Sequence, residues 1–184
     1  MSGHRGPRVE GDRRAARAAE PRAPALWQTG RVPLLLVRHA HAGSRKEWSG
    51  DDRLRPLSTR GRHQADLLGG LLEPYAPQRI LSSPYLRCVA TLEPLADRLS
   101  LRVEPLEELA EGNGPLALGL VRALADEKVV LCTHGDVIPE VLVALADEDR
   151  VDLGPSPRQA KGSTWVLEAS DGRFARAVYL PAPA

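Results

Sequence analysis

LLLVRHAHAGSR, residues 34–45, decides how the rest of this chain is read. A continuous apolar run ends abruptly in Arg38, His39 and His41. The run VPLLLV, residues 32–37, is short and has no polar alternation, the pattern of a strand buried on both faces of a parallel sheet. Side chains directly after such a strand stand at the carboxyl rim of the sheet, where open α/β folds bind ligands. Three readings of this strand end are open: metal ligands, a histidine nucleophile with an arginine clamp for an anion, or a polar strand end with no chemistry.

Outward from this run, strand-like and helix-like patterns alternate. Residues 38–57 form a long polar loop with Gly43, Gly50 and Pro56, and a loop of that length inside a domain is usually functional or disordered. Ser58 can cap a helix over 59–72. RILS, residues 79–82, predicts a second strand. Ser83 and Pro84 then predict a helix over 84–98, with Ser83 as N-cap and Pro84 as its first residue. A third strand is expected at 101–104, a helix at 115–127, a strand at 128–133, and a helix capped by Asp136 that runs to 146. TWVLE and FARAVYL flank Ser170-Asp171-Gly172, a hairpin signal. The expected fold is a three-layer α/β/α sandwich with a mainly parallel central sheet and a C-terminal antiparallel hairpin.

The chain has 184 residues, 42% apolar and 27% charged, which suits one globular domain over residues 31–184. Residues 1–30 are rich in Arg, Ala and Pro and read as a disordered or partly helical tail. Residues 1–31 hold seven arginines and three acidic residues; taking this surplus from the net +1 leaves a mildly acidic body of about −3. Nothing in that balance suggests nucleic acid. No apolar run approaches a membrane span, and no signal-peptide pattern is evident. Cys88 and Cys132 lack metal or redox spacing and read as buried free thiols of a reducing compartment, so a cytoplasmic protein is expected.

Parallel strands would bring their trailing residues to one rim: Arg38, His39 and His41 after the first, Ser82, Ser83 and Arg87 after the second, His134 and Asp136 after the fourth. Arginine forks match phosphate oxygens. Arg87 also falls in the first turn of its helix, where the dipole disfavours a cation by about 0.3–1 kcal/mol unless an anion binds there. A His-x-His pair with His134 suits a metal, but two guanidiniums would repel a divalent ion. On the covalent reading His39 attacks phosphorus, while Arg38, Arg87 and His134 hold the equatorial oxygens. A carboxylic acid then protonates the leaving oxygen, with Glu107, Glu108 and Glu111 of VEPLEELAEGN as candidates. His4 and His63 read as structural.

VRHAHA, LSTRGRHQA, SSPYLRCVAT and THGD occur in that order, and together they resemble the histidine phosphatase superfamily, in its phosphoglycerate-mutase-like branch. The resemblance spans about residues 32–180. It implies a metal-free, cofactor-free phosphatase working through a covalent phosphohistidine, with His39 as nucleophile, Arg38 and Arg87 as phosphate-binding arginines and His134 as the second active-site histidine. The family's Leu-x-Glu favours Glu108 as the acid. His41 stands where mutases carry a Glu, and Arg45 where they often carry Asn; both departures argue against a mutase, and Arg45 suits a more highly charged substrate. The small size is similar to SixA-type phosphohistidine phosphatases. The HAHAGSR, GDD, RPLS and KGSTWVL segments look more like the C-terminal domain of MutT-type nucleotide hydrolases, whose nudix half this sequence lacks. The implied partner is a small phosphorylated substrate or a phosphohistidine protein; a catalytically weak phosphate-binding module is the alternative.

Overall fold

The computed structural model describes residues 33–154 and 158–184. The expected tail, residues 1–30, lies outside the described residues. Four strands, β1 (Pro33–Arg38), β2 (Arg79–Ser82), β3 (Val103–Pro105) and β4 (Val129–Thr133), pair in parallel; β5 (Thr164–Ser170) and β6 (Arg173–Leu180) complete the sheet as an antiparallel pair. The spatial order is β3-β2-β4-β1-β5-β6, with β5 antiparallel to β1. The helices are α1 (Thr59–Leu72), α2 (Leu86–Leu99), α3 (Gly114–Ala123) and α4 (Val137–Asp149).

The unbroken apolar run of β1 is explained by two cores, one on each face of the sheet. Leu34 and Leu36 pack with Ala117 and Val121 of α3 and with Val141 and Leu145 of α4. Leu35 and Val37 pack with Leu68 and Leu72 of α1 and with Leu92 and Leu95 of α2. Period-two alternation sends successive side chains to opposite layers, so neither face tolerates a polar residue. The expected three-layer architecture is therefore observed, with β1 and β4 at its centre. No helix among the described residues is long and apolar enough to cross a membrane.

Element boundaries depart from expectation where a side chain meets a distant partner. α2 begins at Leu86 behind Tyr85, not at Pro84, and Ser83 does not cap it. The Ser83 hydroxyl lies instead 2.8 Å from His134 Nε2. Asp136 precedes α4 but its side chain makes no capping bond; its carboxylate accepts the Gly112 N–H at 2.8 Å. α3 ends at Ala123, short of the expected residue 127, and β3 starts at Val103, later than residue 101. Ser58 does cap α1, accepting the N–H of Gly61 at 3.1 Å.

Candidate active site

Because β1, β2 and β4 are parallel, Arg38 pairs with Thr133 and Ser82 with Cys132 at one rim. The residues after these strands converge there. His39 and His134 meet edge to face with ring centroids 5.4 Å apart, and both are buried. His39 Nδ1 lies 2.8 Å from the Ala40 carbonyl oxygen. A carbonyl can only accept, so Nδ1 carries the proton and Nε2 keeps its lone pair. Burial is the largest cause, and with the charges of Arg87 and Arg38 it outweighs that hydrogen bond and pushes the His39 pKa down to about 3. The ring is thus neutral and nucleophilic at physiological pH.

Arg87 has no exposed surface. Its Nη1 donates to the Asp52 carbonyl at 2.8 Å, and its Nη2 lies 3.1 Å from Asp52 Oδ2 and 3.5 Å from Glu111 Oε1. The same Nη2 lies 3.4 Å from His134 Nδ1. A guanidinium only donates, so Nδ1 accepts and the proton of His134 sits on Nε2, facing the Ser83 hydroxyl. Tyr85 completes the wall: its ring packs against His134 at 4.6 Å and beneath the Arg87 guanidinium at 4.5 Å. Arg38 donates to the Gln159 carbonyl and lies over Gly135, where a Cβ would stand 2.6 Å from its Cζ. Burial depresses the Arg38 pKa, with Asp136 acting in the opposite sense.

The Nε atoms of both Arg38 and Arg87 are buried with no hydrogen-bond partner among the described residues. An unsatisfied buried donor costs about 1–3 kcal/mol, more when charged. Two such guanidinium donors beside a histidine lone pair form a receptor for a tetrahedral oxyanion.

The long loop after β1 is ordered into two 3-10 turns, Arg45–Glu47 and Asp52–Leu54, that strap the site. It brings in residues for which the sequence reading assigned no role. Asp52 bonds Arg55 Nε at 2.8 Å as well as Arg87. Arg55 is buried and also donates to the Ala42 carbonyl at 2.8 Å. Burial opposes ionisation of Asp52, but its bond to Arg55 and the charges of Arg87, Arg55 and Arg45 hold the carboxyl below its usual range. Arg45 reaches the site through carboxylates, with Nη2 at 3.4 Å from both Asp52 and Glu111. Of the three candidate acids, Glu111 touches Arg87, Glu107 pairs with Arg53, and Glu108 makes no ion pair or hydrogen bond among the described residues. His41 bonds Ser58 at 2.8 Å and is not part of the His39–His134 pair. Among the described residues no three His, Cys, Asp or Glu side chains gather into a metal-ligating group.

The sequence profile of the histidine phosphatase superfamily (branch 1) matches residues 34–120, which hold Arg38, His39 and Arg87. This chain belongs to the histidine phosphatase superfamily. It is 37% identical over 156 residues to the 8-oxo-(d)GTP phosphatase of Mycolicibacterium smegmatis; the match covers 82% of this chain and 48% of that protein. The chain thus matches about half the length of that relative. Among solved structures it superposes on the protein histidine phosphatase SixA complexed with tungstate, with a TM-score of 0.64 and 22% identity over 81% of this chain and 94% of that one. It also superposes on mycobacterial glucosyl-3-phosphoglycerate phosphatase complexed with VO3, with a TM-score of 0.65 and 20% identity over 82% and 99% of the two chains. These two likenesses establish the histidine phosphatase fold.

Proposed function

We propose that this histidine phosphatase hydrolyses a phosphorylated small molecule, nucleotides foremost, through a phosphohistidine at His39. One observation carries the reading: the His39 ring is neutral, with Nε2 unprotonated, beside the two orphaned guanidinium nitrogens of Arg38 and Arg87. His39 Nε2 attacks phosphorus in line, forming the P–N bond as the bond to the leaving oxygen breaks. Arg38 and Arg87 hold equatorial oxygens as charge spreads over them, and the His134 ring lines the same wall. Ser83 keeps the His134 ring in place through Nε2. An acid of the 107–111 turn gives the leaving oxygen its proton; its carboxylate then takes one from water, which cleaves the P–N bond and releases phosphate. Glu108 has the family's spacing, and Glu111 has the contact with Arg87.

The 37% identical relative, an 8-oxo-(d)GTP phosphatase, supports a nucleotide over a phosphohistidine protein. A cytoplasmic location is supported by the two buried free thiols, Cys88 and Cys132. The test is hydrolysis of p-nitrophenyl phosphate in EDTA by the native chain and by His39→Ala, with alkaline detergent quenching to trap an acid-labile, alkali-stable phosphoenzyme. Turnover and phosphoenzyme in the native chain, both absent from His39→Ala, are expected. Phosphate binding without turnover would instead make the chain a phosphate-binding module.

A further inference from the structure

Arg87 stands in the first turn of α2 with no exposed surface, yet its guanidinium is aimed by a residue of the strap and not by its own helix. Asp52 holds both terminal nitrogens at once. Its backbone carbonyl accepts from Nη1 at 2.8 Å, and its Oδ2 lies 3.1 Å from Nη2 as an ion pair. The Tyr85 ring packs against the flat side of the group, its centroid 4.5 Å from the Arg87 Cζ. The nitrogen that Asp52 leaves over is Nε, buried and without a hydrogen-bond partner among the described residues. Nε shares an edge of the planar group with one terminal nitrogen, and that edge can fork an oxyanion.

Asp52 is itself braced. Arg55 Nε donates to its Oδ1 at 2.8 Å, and Arg55 Nη1 donates to the Ala42 carbonyl at 2.8 Å. Asp51 closes the 3-10 turn that carries Asp52 by accepting the Arg53 N–H at 2.9 Å. A chain of direct contacts, Arg87–Asp52–Arg55–Ala42, therefore runs from the clamp back to the segment that follows His39. A carboxylate at an anion site would repel the ligand, but Arg55, which is buried, and Arg45, with Nη2 at 3.4 Å from Oδ2, offset the charge of Asp52. A rival stands nearby: Glu111 Oε1 lies 3.5 Å from the same Arg87 Nη2. Without Asp52 the guanidinium is free to turn towards Glu111 and away from a ligand.

We propose that Asp52 is a positioning residue of the phosphate clamp: braced by Arg55, it holds both terminal nitrogens of Arg87 and so presents the Nε edge to the oxyanion before the ligand arrives. The inference deepens the phosphatase reading and rests on it for where the reacting group lies. Donors fixed in advance need no reorganisation as charge builds on the ligand, which is why a supporting carboxylate can raise affinity for an anion that its own charge would repel.

The experiment is a double-mutant cycle on tungstate binding, measured by calorimetry at fixed ionic strength with the full chain, Asp52→Asn, Arg87→Lys and the double variant. Asp52→Asn keeps the shape and the backbone carbonyl but replaces one carboxylate oxygen with an amide nitrogen that cannot accept. Loss of a negative charge alone would tighten tungstate binding; loss of positioning should weaken it about tenfold. In the Arg87→Lys background, where the fork is already gone, the same change should alter affinity by less than about twofold. Asp52→Ala, which removes both side-chain oxygens, should lose at least as much as Asp52→Asn. With p-nitrophenyl phosphate, kcat of Asp52→Asn should fall about tenfold as well, because the clamp also holds the transition state. Unchanged or tighter tungstate binding in Asp52→Asn and Asp52→Ala overturns the proposal, and so does an equal loss in both backgrounds, the mark of a merely structural residue. A native chain that binds tungstate but hydrolyses nothing refutes the phosphatase reading, and the cycle still decides the role of Asp52.

Discussion

His39 Nδ1 lies 2.8 Å from the carbonyl oxygen of the next residue, Ala40, and that bond leaves Nε2 as the ring nitrogen with a free lone pair. The same burial that frees Nε2 makes His39 an acid-sensitive point of the fold. Its pKa is about 3 when folded and near 6.5 when unfolded. Above pH 6.5 both states are neutral and stability is unaffected. As pH falls from 6.5 towards 3 the unfolded chain takes up a proton that the folded chain refuses, so stability is lost at about 1.4 kcal/mol per pH unit. His39→Gln removes this contribution. Urea unfolding at pH 7, 6 and 5 should show the native chain losing more stability than His39→Gln; parallel losses would contradict the assignment.

Arg87 is the buried counter-ion of Asp52 and Glu111, and on the proposed reading it is also a phosphate fork. A lysine in its place would keep the charge and lose the planar donor set, so Arg87→Lys should lower kcat by about 10²–10³ for p-nitrophenyl phosphate. Arg87→Met, which takes from Asp52 and Glu111 the buried one of the two cations they share, should in addition lower the melting temperature more than Arg87→Lys does. Equal activity in Arg87→Lys and native protein would remove Arg87 from the phosphate clamp.

How much of this was legible in the sequence depended on the range of the interaction. β1 was legible because burial on both faces writes itself into every residue from Leu34 to Val37. The convergence of Arg38, His39, Arg87 and His134 needed only that the strands be parallel. Ser83 and Asp136 were misread as caps because a cap is a local bond worth about 1 kcal/mol, and each side chain had a tertiary partner that outweighed it. Asp52 stood in the GDD segment with no role assigned, and its pairing with Arg87, 35 residues away, has no local signature. Arg55 stood in a quoted motif, but its charge found Asp52 and the Ala42 carbonyl only when the loop closed on the rim.

Gly61 is where the strapping loop meets α1. A Cβ there would stand 1.9 Å from the His41 carbonyl oxygen and 2.8 Å from the carbonyl carbon, and backbone cannot yield as a side chain does. The Ser58 N–H donates to that same oxygen at 2.9 Å, so the first turn of α1 and the segment after His39 are locked together. Gly61→Ala should therefore cost about 2–4 kcal/mol and reduce kcat by shifting the nucleophile's neighbour. Gly119→Ala, on α3 with nothing within 4 Å of its added Cβ, should be neutral or stabilising by about 0.5–1 kcal/mol. Chemical denaturation of the two variants side by side checks both.

The acid is the remaining assignment, and leaving-group dependence can make it. The turn that carries the glutamates is tied to the rim at three points: Leu106 N–H to the Ser82 carbonyl at 2.8 Å, the Thr133 hydroxyl to the Leu109 carbonyl at 2.7 Å, and Gly112 N–H to Asp136 at 2.8 Å. That anchoring directs Glu111, with Oε1 at 3.5 Å and Oε2 at 3.4 Å from Arg87 and Arg45, towards the clamp. Glu108, despite its spacing, has no such contact. A nitrophenolate leaves without help, whereas an alkoxide needs a proton in the transition state. Glu111→Gln should therefore lower kcat about 10²-fold or more for an alkyl phosphate and far less for p-nitrophenyl phosphate, while Glu108→Gln stays within about threefold on both. The reverse pattern would return the role to Glu108. A flat response in both variants would exclude both residues and pass the role to Glu107, the third candidate of that turn.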